Sequence, residues 1–381
     1  MSLVINTNSS SLQAQNNLTK STNALAQATE RLSSGLKINS AKDNAAGFAI
    51  STRFTTQIGG LSQASSNASD AISLAQTTGS ALDEVTANLQ AIRDLAVQSA
   101  NGTYTDTDRA AIDTEVQQRL SEITRIANQT DFNGAKVLDG STKSLSFQVG
   151  ANVGQTISVA LGQGVRADQV GAIATSSTDD LSALFASGAS VTLGSGDFSI
   201  ATGAGSTSGT VDVTGTFSSV QDLSDAINAS NSGVSAAVSA DGKKINLYSA
   251  TALDVTVGTG SGASGIATGG TISGAVSGSL SGGDVKTVDD ANALISRVDT
   301  ALTSVSNLAS NLGAIQNRSQ STISTLSAES ANLTSSQSTI QDADFAAETA
   351  NLSKAQVLQQ AGISVLSQAN SQPQQVLKLL Q

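Results

Sequence analysis

The segment ALISRVDTALTSVSNLASNLGAIQ, residues 293–316, decides the fold. Val298, Val305 and Leu312 recur every seventh residue, and the same grid runs on to Leu326, Leu333 and Ile340 with Ser319 as its only polar member. Leu294, Ala301, Leu308 and Ile315 fill a second grid four residues earlier. These are the a and d positions of a coiled coil, and they predict one helix over 287–340. At ~1.5 Å per residue that helix would be about 80 Å long, and its apolar stripe needs a partner.

The N-terminal arm supplies a matching stripe. Leu61, Ala68, Ala75, Leu82, Leu89 and Ala96 are spaced by seven, joined first by Ile58, Ile72 and Gly79 and then, after a one-residue shift, by Val85 and Ile92. The shift predicts a local adjustment of the supercoil. A second amphipathic helix follows, with Ile112, Val116, Leu120, Ile123 and Ala127 on one face and Thr107 or Asp108 as its N-cap. Beyond it, NQTDFNGAKVLDGS carries an Asn-Gly turn, and SLSFQVG and QTISVAL alternate like the strands of a hairpin. The expected architecture is mainly α: a long antiparallel coiled-coil or helical-bundle rod formed by both chain ends, with a β-hairpin and a small inserted β-rich (α+β) outer domain.

Glycine marks the insert, because 19 of the 34 glycines fall between residues 177 and 286. Strands are expected there at 191–200, 210–216, 234–238, 244–248 and 253–257, with a short helix at 220–229. Nine Asp against three Lys give this zone a net charge of -6, which suits a solvated face.

Composition narrows the function. Among 381 residues there is no Cys and no His, which removes disulfide frameworks, thiolate nucleophiles, Ser-His-Asp triads and the usual zinc sites. No enzyme activity, cofactor or metal is expected. The net charge of -11 opposes attraction to phosphate backbones or anionic lipid, so neither nucleic acid nor membrane is an expected partner. No stretch approaches the ~20 apolar residues of a membrane span, and MSLVINTNSSSLQ has no basic residue before Lys20, so no cleavable secretory signal is expected. Gly260, Gly262 and Gly265 match GxGxxG, but no amphipathic helix follows to hold a pyrophosphate, and a glycine loop is the expectation. Asp342, Asp344 and Glu348 read as a helix-start signal rather than a metal site.

The extreme ends form another pair of stripes. Leu18, Leu25 and Leu32 repeat by seven beside Ala14, Ala28 and Leu36, and Ala355, Leu358, Gly362, Val365 and Ala369 answer them near the other end. Charges are sparse, so these helices suit packing on each other and on neighbouring copies. Leu18, Leu25, Leu32, Leu36, Leu352, Leu358, Val365 and Leu366 are the candidate self-assembly core. Leu61, Leu82, Leu89, Leu294, Val298, Val305, Leu308, Leu312, Leu326 and Leu333 are the candidate rod-packing set.

LSSGLKINSAKDNAAGFAIS (32–51), LQAIRDLAVQSANGT (89–103), QRLSEITRIANQTDFNGAKVLDG and IQDADFAAETANLSKAQVLQQAGISVLSQANSQPQQVLKLLQ (340–381) closely resemble bacterial flagellin. The likeness covers roughly 1–175 and 287–381, while TFSSVQDLSDAINASNSGVSAAVSADGKKINLYSA is similar to the small "IN" module of flagellins and hook-associated proteins. The resemblance implies a structural filament subunit, exported by the flagellar type III apparatus, extracellular, whose ends are disordered in the monomer and fold on joining the filament. It implies a terminal coiled-coil domain of 1–40 plus 341–381, a helical rod domain of 41–176 plus 287–340, and a variable outer domain of 177–286. Implied partners are further copies of the chain, hook-associated junction and cap proteins, and a cytosolic export chaperone at the C-terminal segment. The flagellin-sensing Toll-like receptor of animals is a further implied partner, through a surface including Arg93, Leu95 and Glu115, although Ala91 stands where that motif commonly has Arg. A hook-filament junction protein is the alternative within the same class, and an outer domain that binds surfaces or glycans is another.

Overall fold

The computed structural model describes residues 8–379 except 187–188, 204–209, 231, 259–264 and 268–269, with backbone alone for 372–379. Gly260 and Gly262 of the GxGxxG run thus lie outside the described residues. Among those described, six α-helices occur: α1 (Ser9–Ser34), α2 (Ala45–Ser99), α3 (Asp106–Gln129), α4 (Val220–Ala229), α5 (Val288–Gln341) and α6 (Phe345–Leu379). The long C-terminal helix expected over 287–340 is α5, and the N-terminal stripe lies on α2. The chain packs as two compact units, and α2 and α5 each contribute to both.

The first unit holds α1, α2 up to Asn67, the loop Val149–Gln155, α5 from Thr322, and α6. Helix α1 begins at Asn8, whose side chain accepts the Ser11 N–H, and ends at Gly35, whose φ of 72° suits a residue without Cβ. Helices α1 and α6 run antiparallel. Asn8 Nδ2 donates to the Ala369 carbonyl at 2.9 Å and Ser11 Oγ donates to Asn370 Oδ1 at 2.7 Å near one end, while Arg31 faces Glu348 at 3.8 Å near the other. Between α5 and α6 the chain is pinned to the segment after α1: Lys37 N–H donates to the Gln341 carbonyl and Ala343 N–H to the Gly35 carbonyl. Asp344 then accepts the Ala346 and Ala347 N–H groups, so the acidic run before α6 acts as a helix start. Leu61 and Ala64 of α2 cluster with Leu326 of α5, with Leu333 packed against them.

The second unit contains the rest of α2 and α5, all of α3, and the β-rich insert. Its helical part is buried along the expected stripes: Ala68, Ala75, Leu89 and Ala96 of α2, Val116, Ile123 and Ala127 of α3, and Leu294, Val298 and Ala301 of α5 are all sealed from solvent. Arg93 Nε donates to Asp299 Oδ1 at 2.7 Å, tying α2 to α5.

Two sequence expectations change here. No register shift occurs in α2, because Ala64, Ala71 and Thr78 are buried in continuous step with Val85 and Ile92, while Ile72 and Gly79 are only half-buried. Small residues hide this seam from a search for large apolar ones. Thr78, the polar member, satisfies its hydroxyl on the Leu74 carbonyl at 2.8 Å. Helix α3 is capped by Thr105 rather than Thr107 or Asp108: Thr105 accepts the Asp108 N–H and Asp108 reaches back to the Thr105 N–H, a reciprocal capping box that only this spacing allows.

The Asn-Gly turn forms between short paired strands, Asp131–Phe132 and Ala135–Lys136, with Asn133 and Gly134 both at positive φ. Ser144–Gln148 pairs with Thr156–Ala160 as the expected hairpin. The insert, together with the strand Ile173–Ser177 that leads into it, carries two antiparallel four-stranded sheets. One orders Val234–Val238, Ile245–Ser249, Ile173–Ser177 and Val276–Ser277; the other orders Thr271–Gly274, Leu253–Val257, Phe198–Thr202 and Val211–Asp212. Leu223 and Ile227 of α4 join Phe198, Ile200, Leu247 and Val255 in one core. The strands expected at 191–200 and 210–216 are each broken at glycine. Gly196 (φ 84°) turns the chain after Val191–Leu193, and Gly215 (φ 144°) opens a separate strand, Gly215–Phe217, which pairs with Val191–Leu193.

Candidate assembly surface

Apart from Arg31, which reaches Glu348, the buried and half-buried positions of α1 step by three and four: Ser11, Ala14, Leu18, Ser21, Leu25, Ala28, Leu32. On α6 the answering row is Glu348, Leu352, Ala355, Gln359, Gly362, Leu366, Ala369. Only small or polar members are sealed, namely Ser11, Ala14 and Ala28 on one helix and Glu348, Ala355 and Ala369 on the other. Leu18, Leu25, Leu32, Leu352 and Leu366 stay half-buried, and so does Leu36 just beyond α1. A Cβ on Gly362 would come within 3.3 Å of Leu18 Cδ1, so the absent side chain is what lets the two helices approach there.

Leu358 and Val365 fall outside that row. They are 48% and 58% exposed, and with Val357 at 65% and Ile363 at 54% they leave α6 apolar on its solvent side as well. A helix apolar beyond the stripe it buries in its own chain has further surface to cover. Leu358, Ala361 and Val365 border an open groove of about 380 Å³ whose other wall is Ala14, Asn17, Lys20 and Ser21 of α1. The candidate self-assembly residues thus divide into a half-buried set along the α1/α6 seam and an exposed pair, Leu358 and Val365, on the groove.

Nine of the ten candidate rod-packing residues are buried: Leu61, Leu82, Leu89, Leu294, Val298, Val305, Leu308, Leu312 and Leu326. Leu333 is half-buried. Of the candidate receptor-facing residues, Arg93 and Leu95 lie on α2 and Glu115 on α3. Arg93 is engaged by Asp299, whose hydrogen bond and charge push the guanidinium still further toward its charged form, and Glu115 pairs with Arg119 at 2.8 Å.

A polar cluster that sequence reasoning missed fixes the chain where it returns from the insert. Ser99 Oγ donates to the Val285 carbonyl at 2.6 Å and Gln117 Nε2 to the Gly283 carbonyl at 2.9 Å. Buried Asp113 accepts the Val285 N–H at 3.3 Å, with Lys286 Nζ at 3.5 Å. The available signal was Ser99 itself, which occupies the seam position seven residues after Ile92. Among the described residues no group of three or more His, Cys, Asp or Glu could hold a metal ion, and no helix is long and apolar enough to cross a membrane.

Paired terminal helices with apolar side chains left in solvent, long heptad helices between them and an inserted sheet module define a helical subunit built to associate. Residues 5–143 match the family model of the bacterial flagellin N-terminal helical region, 295–380 that of the C-terminal helical region, and 197–251 the flagellin hook IN motif. The chain is 46% identical to a flagellin of Serratia marcescens and 38% identical to flagellin B of Vibrio cholerae, with all of this chain and all of each relative covered. The solved FliC of Burkholderia pseudomallei is 29% identical with a TM-score of 0.41, covering 65% of this chain and 99% of that one. The chain belongs to the bacterial flagellins, the structural subunits of the extracellular flagellar filament.

Proposed function

We propose that α1 and α6 are the polymerisation element of this flagellin, and that burial of Leu358 and Val365 against neighbouring copies drives a subunit into the filament. The observation that carries this is their exposure beside a groove whose walls come from both terminal helices. A fully buried aliphatic side chain contributes about 1.5–3 kcal/mol, so a few such residues suffice to make addition cooperative. The terminal domain is 1–40 with 341–381, the rod domain 41–176 with 287–340, and the outer domain 177–286. Subunits leave the cell through the flagellar type III apparatus, guided by a chaperone at the C-terminal segment, and meet hook-associated junction and cap proteins at the filament's ends. Their catalytic role is nil. Arg93, Leu95 and Glu115 form the surface met by the animal flagellin receptor, weakened by Ala91. Deleting 1–30 or 350–381 is expected to abolish filaments while leaving the monomer folded, as judged by electron microscopy and circular dichroism. Filaments of normal length from either truncation would sink the proposal.

A further inference from the structure

The chain holds two Asn-Gly pairs, Asn101-Gly102 and Asn133-Gly134. Such a pair is open to attack by the chain on itself, because a glycine nitrogen carries no neighbouring Cβ to hinder its approach to the preceding side-chain amide. All four residues are exposed, so solvent access does not separate the two pairs. Backbone and hydrogen bonds do. Asn133 has a φ of 50° and is the one described non-glycine residue at positive φ. In that left-handed region ψ is positive and small, which turns the Gly134 nitrogen to the far side of the Cα–C bond from Cβ. The paired strands Asp131–Phe132 and Ala135–Lys136 hold the turn in that conformation.

Asn101 is arranged for the opposite outcome. It follows α2 at negative φ, and its N–H donates to the Gln98 carbonyl at 3.2 Å. Its Oδ1 accepts both the Thr103 N–H and the Thr103 hydroxyl at 3.1 Å, which folds the side-chain amide over the peptide bond to Gly102. Two donors on that oxygen draw electron density from Cγ and stabilise the negative charge that attack on Cγ places there. Under the loop packs Arg109, only 5% exposed. Its Nη2 donates to the Asn101 carbonyl at 3.0 Å and to the Tyr104 carbonyl at 3.3 Å, while its Nη1 has no hydrogen-bond partner among the described residues. An unpaired buried guanidinium nitrogen is costly, and a carboxylate is the group that fits the planar fork.

We propose that Asn101 is a self-modification site, where the folded loop converts asparagine to isoaspartate. The Gly102 nitrogen loses its proton to solvent and bonds to Cγ, the Cγ–Nδ2 bond breaks, and Nδ2 takes a proton from solvent and leaves as ammonia. Water then opens the succinimide at its α-carbonyl, the one that Arg109 and the Tyr104 N–H hold. The ring nitrogen regains a proton, the main chain now runs through Cβ and Cγ, and the former carbonyl becomes a carboxylate. Amide and water give carboxylate and ammonium, with no change of oxidation state. The carboxylate faces Arg109 with a second oxygen for the unpaired Nη1. Each event adds one negative charge to a chain at -11.

The full-length chain, folded or unfolded in guanidinium chloride, is incubated in mildly alkaline buffer and digested briefly with trypsin. Peptides 94–109 and 126–136 carry Asn101 and Asn133, and electron-transfer fragmentation distinguishes isoaspartate from aspartate. Unfolded, the two sites are expected to react at similar rates. Folding is expected to slow Asn133 about tenfold or more relative to Asn101. It is also expected to raise the isoaspartate share at Asn101 above that of the unfolded chain. Thr103→Val is expected to keep the monomer's circular dichroism and slow Asn101 about threefold or more, the worth of one hydrogen bond, with Asn133 unchanged. Equal rates at the two sites in the folded chain, an unchanged Asn101 rate in Thr103→Val, or an isoaspartate share no higher folded than unfolded would overturn the proposal.

Discussion

Helices α1 and α6 and the helical part of the second unit carry the same seven-residue pattern, yet they bury it differently. In the second unit the seam is closed: Leu82, Val85, Leu89, Ile92, Val298 and Val305 are at most 1% exposed. Along α1 and α6 the sealed positions are alanine, serine or glutamate, the seam leucines are half-covered, and Leu12, Leu358 and Val365 stand in solvent. Heptad periodicity reports which side of a helix wants a partner. It does not report whether that partner belongs to the same chain, and the degree of burial within one subunit separates the two cases.

Substituting one leucine from each region tests the contrast most severely. Leu89→Ala removes a sealed side chain and is expected to lower monomer stability by about 2–5 kcal/mol in denaturant unfolding. Leu358→Ala is expected to leave monomer stability within about 0.5 kcal/mol and instead raise the subunit concentration at which filaments form. Equal losses of monomer stability from both would break the comparison, because α6 would then be completed within its own chain.

The helices were legible in the sequence because their period survives along tens of residues, and α4 and the strands at 234–238 and 253–257 fall where alternation placed them. What stayed hidden was carried by small or polar residues. Ala64, Ala71 and Thr78 hold the α2 seam in register, but against Ile72 they look too small to mark it, and a false shift results. The Thr105 cap, the glycine breaks at 194–196 and 215, and the Ser99 and Asp113 contacts with Val285 are each fixed by a backbone angle or a partner distant in sequence. Leu358 and Val365 were legible as apolar, but their place off the α1/α6 row depends on how the two helices rotate against each other.

Glycine substitutions sharpen the contrast at smaller amplitude. A Cβ on Gly313 of α5 meets nothing within 4 Å, so Gly313→Ala is expected to stabilise the monomer by about 0.4–1 kcal/mol through helix propensity and a restricted unfolded chain. The Cβ of Gly362→Ala presses on Leu18 at 3.3 Å, and its gain is expected to be smaller. Thermal unfolding of the two variants beside the parent decides this. A larger gain at Gly362 would mean that the α1/α6 contact yields freely and does not depend on close approach.

The smallest effect expected is electrostatic and belongs to the well-packed unit. Burial first, and then the charge of Asp290, pushes the Asp284 carboxyl above the ordinary carboxylate range, with Lys286 opposing. Asp289 is raised too, chiefly by burial, while the Ala240 N–H that it accepts opposes the shift. A raised carboxyl binds its proton more tightly in the folded than in the unfolded chain, so it costs stability above its folded value, and that cost is relieved as pH falls through the folded value to the unfolded one. Asp284→Asn is therefore expected to raise the unfolding midpoint slightly at pH 7, with the advantage over the parent shrinking at pH 4. Carboxylates held low elsewhere, such as Asp108 through Thr105, weaken both proteins alike on acidification and cancel in the difference. A variant less stable than the parent at pH 7, with the difference vanishing at pH 4, would show that Lys286 outweighs burial at Asp284.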